Sequence, residues 1–465
     1  MATPTATVQD LVEHALASST ADDCVVIAHH RTSANLRWAN NTLTTNGAMR
    51  GVEVTVVSFV RQSGGVSAGS VSGSATTPEQ VDTLVAAADA AARAGDPAGD
   101  ARALVAGDAS IAWPEPPAET DIHVFDRFAP ALGEAFGRAR AAGRVLYGFV
   151  DHQVATTYVA SSTGLRLRHV QPTGHYGVTG KTTDLAASAW VGGATRDFAD
   201  VDALALDEAL AQRLAWSARR VDLPAGRYDT ILPPAAVADL MIDAYWSAGA
   251  REAHDGQSVY SRRGGGTRIG EQITRPEVTL ASDPTYPGLG CAPYAVVEAS
   301  SADASVFDNG LPLQRTDWIS DGTLTALRQT RETADLTGQR VTPAIDNLVL
   351  EVDGGVGSVE DLVAGTERGL LLTCLWYLRE VDPQTLLLTG LTRDGVYLVE
   401  HGEITGAINN FRFNESPVDL LRRFSHASAT FPAFGREWGE DYFSRTAMPA
   451  LRVPDFNMSS VSQAT

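Results

Sequence analysis

The sequence predicts an α+β protein: an N-terminal mixed α/β domain over residues 1–222, then a mostly antiparallel β domain over 223–465 with a central helix. Three observations point there. Up to about residue 222, helical periodicities are interleaved with period-two strands and hairpins rather than with regular βαβ units. Beyond it, turn dipeptides at Asp283-Pro284, Asn309-Gly310, Asp321-Gly322, Asp394-Gly395 and His401-Gly402 punctuate short apolar strands at close spacing. The length, 465 residues with 44% hydrophobic and 20% charged composition, suffices for two or three domains with a large core.

Taken in order, Val8, Leu11, Val12, Ala15 and Leu16 give an amphipathic helix over 8–17. Residues 24–28 and 35–39 read as two strands. The polar stretch 40–47 reads as a turn ending in Asn46-Gly47, the commonest tight hairpin dipeptide. Val52, Val54 and Val56 alternate with Glu53 and Thr55 along a strand at 51–60, and the Gly/Ser-rich 65–73 makes another. Helix 78–93 has the clearest signals, with Thr77 as cap, Pro78 in the first turn and Gln80 at capping-box distance. Residues 94–119, rich in Ala, Gly, Asp and Pro, read as an extended surface linker. Helices follow at 126–142 and 207–219, with strands at 145–157, 165–170 and 186–192.

In the second half, the pair Pro233-Pro234 opens a helix expected to run from 234 to 251, since Pro is favoured at a first helical position. Its residues Leu240, Met241, Ala244 and Tyr245 recur at helical spacing and face a core. A mobile loop is expected at 257–267. Strands follow at 278–281, 294–298, 314–319, 323–329 and 396–400, and helices at 358–368 and 418–424.

The net charge of −20, with a pI of about 4.9, opposes binding to a phosphate backbone, which needs a basic surface to displace counterions. Cys24, Cys291 and Cys374 are scattered without CxxC spacing and read as reduced thiols. The first five residues show no basic-then-apolar signal peptide, and the most apolar run, 369–378, is short of the roughly 18 residues that span a bilayer. A cytoplasmic location is expected.

Few side chains offer chemistry outright. Asp243 reads as a surface carboxylate of the 234–251 helix, or as a base. His254-Asp255, with Asp243 or Glu252, could build a site, although exposed loop residues of this kind are ordinarily inert. His29-His30 reads as a surface pair without a third metal ligand. Cys374 lies in an apolar run that hides a thiol and raises its pKa, whereas Cys291, after Gly288-Leu289-Gly290, reads as the more accessible thiol. Gly264-Gly265-Gly266 lacks the Lys-Ser/Thr of a phosphate cradle and reads as a flexible loop.

A set of segments in fixed order resembles the TldD/PmbA family, once named as modulators of DNA gyrase. They are Arg37-Trp38-Ala39-Asn40-Asn41, Thr44-Thr45-Asn46-Gly47, Pro287-Gly288-Leu289-Gly290, Phe307-Asp308-Asn309-Gly310 with Arg315-Thr316, and Asp321-Gly322. Asn347-Leu348-Val349-Leu350, Gly369-Leu370-Leu371-Leu372-Thr373 before Trp376, Glu403-Ile404 and Asn409-Asn410-Phe411 complete it. The resemblance implies a cytosolic peptidase assembled from two related subunits. One type carries His-Glu-x-x-x-His and a later cysteine that hold zinc; the other, the PmbA/TldE type, lacks them. Carried onto this chain, the motif falls on Ile242, Asp243 and Ser247, and the region of Thr446-Ala447 holds no cysteine. Isoleucine cannot ligate, a hydroxyl is a poor zinc ligand, and Asp243 reaches less far than glutamate.

The resemblance therefore implies a non-catalytic TldE/PmbA-type subunit without catalytic residues, metal or cofactor of its own. Zinc would sit in a TldD-type partner, the two forming a heterodimer that acts on unfolded peptides; a homodimer is the alternative when the partner is absent. Two other readings stand beside this one: a self-sufficient hydrolase with a displaced site built from Asp243, His254 or Cys291, and a regulatory protein acting on gyrase or nucleic acid. An unpaired sheet edge in the β-rich half would accept an extended peptide by main-chain hydrogen bonds, without assignment to any one strand.

Overall fold

Six antiparallel strands make the first sheet: β1 (Asp23–Ala39), β2 (Thr42–Gln62), β3 (Gly65–Ser74), β4 (Arg144–Ser161), β5 (Arg166–Thr182) and β6 (Ser188–Thr195), in the spatial order β3-β2-β1-β4-β5-β6. The computed structural model describes residues 6–439 and 445–462; the opening residues read above for a signal peptide lie outside them. Side chains alternate across a strand, so Val26, Ala28, Ala34, Leu36 and Trp38 of β1 share one face. Helices α1 (Val8–Ser18) and α2 (Pro78–Ala94) cover one end of that face, and α3 (Phe128–Ala141) and α4 (Ala203–Trp216) the other. The odd-numbered Val25 and Ile27 point the opposite way, into a cluster with Tyr294, Val306 and Phe307 of the second half. The first sheet is thus a wall between its own helices and the C-terminal half.

The second sheet mixes fourteen strands between Arg220 and Val461. Its axis is the 16-residue strand Thr446–Val461, paired with Gly226–Leu232, Phe411–Glu415 and His426–Ala433 antiparallel and with Leu348–Val352 parallel. Two further parallel pairings join Arg368–Leu372 to Gly226–Leu232 and Glu403–Ile408 to Arg220–Val221; the rest are antiparallel. The α+β class and the β-rich second half are as the sequence predicts. Among the described residues no helix is long and apolar enough to cross a membrane.

Several boundaries differ from the sequence reading. The two strands expected at 24–28 and 35–39 are one continuous β1, because β2 and β4 pair along its whole length. The hairpin turns at Asn40-Asn41, both left-handed (φ 50° and 57°), while Asn46-Gly47 lies inside β2. Asparagine adopts that conformation more readily than other residues with a side chain, so a second candidate pair lay six residues before the one that the dipeptide rule singles out. Residues 294–298 form no strand, making only a bridge from Tyr294 to Pro312, and 323–329 shrinks to Thr323–Leu324. The helix expected over 234–251 is two: α5 (Pro234–Trp246) and α6 (Ala250–His254). Between them Arg328 pairs with the backbone, its N–H donating to Ala248 O and its carbonyl accepting from Ala250 N. A Cβ at Gly249 would lie 2.1 Å from Glu252 Oε2 and 2.4 Å from Asp303 Oδ1, so a larger residue at this corner would have to push both carboxylates aside.

Candidate functional site

Helix α5 starts at Pro234, where the missing N–H costs nothing. Its ten residues from Ala236 to Tyr245 are all buried, as expected of a helix that is apolar around its whole circumference. The core expected for Leu240, Met241, Ala244 and Tyr245 is present, but it encloses the other faces too. Ile242 has no exposed surface and belongs to the main core. Asp243 is 8% exposed, which corrects the reading of a helix-surface carboxylate. Burial pushes its carboxyl up to about 6, opposed by the Trp438 side chain and reinforced by Glu380 and Glu437. Neither Asp243 Oδ2 nor Trp438 Nε1 has a hydrogen bond of ordinary geometry. Ser247 lies past the helix end, its N–H donating to Asp243 O at 2.9 Å.

One turn before Asp243 sits Asp239, which the sequence reading passed over. It is fully buried and accepts the backbone N–H groups of Arg436, Glu437 and Trp438 at 3.1, 3.0 and 3.2 Å. Burial pushes its carboxyl well above the usual range, and the three N–H bonds pull it back. A Cβ at Gly435 would meet Asp239 Oδ1 at 2.5 Å, so the turn closes around the carboxylate only with glycine there. The helix thereby fixes a turn carrying Phe434, Arg436, Glu437 and Trp438.

That turn forms one side of a cavity of about 800 Å³ between the two halves. The opposite side comes from the first sheet: Arg37 and Trp38 of β1, Tyr147 and Phe149 of β4, Thr179 of β5 and Trp190 of β6. Trp376, Tyr377 and Arg379 of strand Leu375–Asp382 complete it. Half of the sixteen lining residues are aromatic, against 7% of the chain, and four of the eight tryptophans are among them. A Cβ at Gly148 would meet Trp38 Cζ2 at 2.3 Å, so glycine lets the indole lie across β4.

Arg436 bridges the halves. Its guanidinium lies 5.3 Å from the Trp190 ring and 4.4 Å from the Trp376 ring, with Nη1 2.9 Å from Asp394 Oδ2 and 3.4 Å from Cys374 Sγ. Asp394 in turn accepts from Ser188 Oγ at 2.6 Å, and its carbonyl from Trp190 N at 3.2 Å. Glu437 turns its carboxylate onto the edge of strand Leu375–Asp382, which pairs only with Leu387–Thr392 among the described residues. It accepts from Tyr377 N at 3.1 Å and Leu378 N at 3.2 Å, with Arg379 Nη1 at 3.5 Å.

The other candidates lie elsewhere. Cys374 is buried as expected, its thiol donating to Arg393 O at 2.9 Å, and burial pushes it up to about 11. Cys291, expected to be accessible, is buried as well and pushed up to about 11, beside Asp346 and Arg445. His254 and Asp255 border a different cavity with Arg262, Gly264 and Gly265. The carboxylate of Glu252 faces Asp303, beside Arg328, and burial and Asp303 both raise it. Asp243, His254 and Cys291 therefore have separate surroundings. The histidine pair is internal: His29 bonds Thr157 and Glu298, both at 2.9 Å, and His30 is 5% exposed.

An aliphatic side chain sealed in the core, a buried carboxylate and a hydroxyl beyond the helix end do not fit a zinc ion. Among the described residues no group of three or more His, Cys, Asp or Glu is placed to hold a metal.

A family model described as the PmbA/TldA metallopeptidase C-terminal domain matches residues 225–460, half of the chain and the part that contains α5 and the turn fixed by Asp239. The chain belongs to the TldD/PmbA family. Solved structures resemble this family member over 97% of its length. They are TldE from Thermococcus kodakarensis (17% identity, 99% of that chain, TM-score 0.73) and a putative modulator of a DNA gyrase from Thermotoga maritima MSB8 (17%, 100%, 0.74). A putative modulator of DNA gyrase from Bacteroides thetaiotaomicron VPI-5482 is similar as well (14%, 98%, TM-score 0.72). At these identities the likeness is one of fold. No curated protein sequence matches the chain.

Proposed function

We propose that this chain is a non-catalytic TldE/PmbA-type subunit of a heterodimeric TldD/TldE metallopeptidase that degrades or processes unfolded peptides. The observation that carries the reading is Ile242: the position on which the first metal histidine of the family motif falls is an aliphatic side chain without exposed surface. The aromatic cavity beside α5 gives such a subunit a substrate role, because aromatic walls hold apolar side chains of an extended chain while a TldD-type partner supplies the zinc-activated water. No observation favours a displaced hydrolytic centre, since Asp243, His254 and Cys291 do not converge. The acidic charge argues against a nucleic-acid regulator.

The experiment is purification of the chain alone and with a His-Glu-x-x-x-His partner, followed by metal analysis and cleavage of an unfolded polypeptide. The expected result is no stoichiometric zinc and no cleavage alone, and zinc-dependent cleavage by the pair. Zinc-dependent cleavage by the lone chain would overturn the reading.

A further inference from the structure

The cavity beside α5 carries a chemical preference that an apolar surface alone would not. Arg37, Arg379 and Arg436 line it, and Glu437 is the one lining carboxylate; with Arg436 answered by Asp394 behind the wall, Arg37 and Arg379 face Glu437 with one positive charge in excess, in a chain whose net charge is −20. The excess is therefore local, and it favours an anion. At the same wall, strand Leu375–Asp382 breaks its ladder between Trp376 and Arg379, and Tyr377 adopts a left-handed conformation (φ 53°). That conformation turns two successive main-chain N–H groups, of Tyr377 and Leu378, toward one point. Successive N–H groups so arranged form a concavity for anions, and such concavities capture terminal carboxylates. This one already holds a carboxylate, that of Glu437.

We propose that the cavity is a binding site for the carboxyl-terminal end of a peptide. The terminal carboxylate takes the Tyr377 and Leu378 N–H groups in place of Glu437, beside Arg379, and a large apolar or aromatic last side chain lies against the tryptophans. Glu437 is the internal occupant that must swing aside. Its backbone stays fixed when it does, because Asp239 holds its N–H at 3.0 Å. The competition is between two carboxylates for one pair of donors, so removing the internal one favours the external one. The inference rests on the peptide-binding role proposed above but not on the identity of the metal-bearing subunit.

The test uses the full chain alone, without partner or metal, and three probes: acetyl-Ala-Ala-Phe with a free carboxylate, the same peptide as its amide, and acetyl-Ala-Ala-Ala. Binding is read by calorimetry and by tryptophan fluorescence. The free acid should bind about tenfold more tightly than the amide, since hydrogen bonds to a charged acceptor are the stronger kind. The alanine peptide should bind more weakly than the phenylalanine one. Glu437→Ala should tighten the acid several-fold and leave the amide unchanged, and Glu437→Gln, which preserves shape, should do the same to a smaller extent. Arg379→Ala should weaken the acid alone. Equal binding of acid and amide, absence of binding at millimolar peptide, or weaker acid binding by both Glu437 variants overturns the proposal. None of these results bears on whether a partner brings zinc, which metal analysis of the pair decides separately.

Discussion

Asp243 holds its proton more tightly in the folded chain than in the unfolded one, because burial disfavours the carboxylate and raises its pKa from 3.8 to about 6. The stabilising form is the neutral one. Its contribution is complete below pH 3.8 and is lost as the pH rises through 6, amounting to about 3 kcal/mol at most by pH 8. Asp243→Asn removes the titration. The variant should gain about 1–3 kcal/mol over the natural chain in urea unfolding at pH 8 and clearly less at pH 4.5; an equal gain at both would contradict the buried-carboxyl account. The three thiols give a second residue-scale expectation. Burial pushes Cys24 up to about 12 and Cys291 and Cys374 to about 11, so none presents a thiolate at neutral pH. Ellman's reagent should find no fast-reacting thiol in the native chain and three after unfolding in guanidinium.

At the scale of elements, α5 organises the site through Asp239 rather than through Ile242, Asp243 or Ser247. Asp239→Ala leaves three N–H groups of the 435–438 turn without their acceptor and should cost roughly 2–4 kcal/mol in denaturant unfolding. The amides of Arg436, Glu437 and Trp438 should then exchange with solvent faster than those of α5, and unchanged protection there would show the turn is held by something else. This is the level at which the sequence was partly legible. Local signals placed α1 and α2 closely, α1 by the spacing of Val8, Leu11, Val12 and Ala15 and α2 by Thr77, which forms a capping box with Gln80 only three residues away. Long-range pairing was not legible. The break between α5 and α6 depends on Arg328, some eighty residues downstream, and the carboxylate of Asp239 looks for its donors near residue 437. A signal did exist for the buried helix. Ala236, Val237, Ala238, Leu240, Met241, Ile242, Ala244 and Tyr245 leave no polar face, so a carboxylate among them has to be internal. The aromatic wall was written in pieces, as Trp376-Tyr377 and Phe434-Gly435-Arg436-Glu437-Trp438, that only the fold brings together.

The whole molecule is two sheets joined across that wall, and Arg436 is where the joint concentrates. Its charge answers Asp394 at 2.9 Å, and its plane lies between an indole of each half. Lysine would keep the charge but not the planar stack on two rings, so the two contributions separate by substitution. Arg436→Ala leaves Asp394 with the Ser188 hydroxyl and a cation no nearer than Arg393 at 3.9 Å and should destabilise by about 3 kcal/mol, most of it the cost of a buried carboxylate without its close charged partner. Arg436→Lys should fall between that variant and the natural chain. Asp394→Asn combined with Arg436→Ala should cost less than the sum of the two single changes, because the second removes the charge that the first strands. Urea unfolding of the four chains measures this cycle. Strict additivity would mean that the ion pair is incidental and that apolar packing, such as Phe59 on Phe307 at 4.8 Å, holds the halves together unaided. Coupling, accompanied by faster tryptic cleavage of the alanine variant, would mean that one guanidinium both closes the joint and shapes the cavity built there.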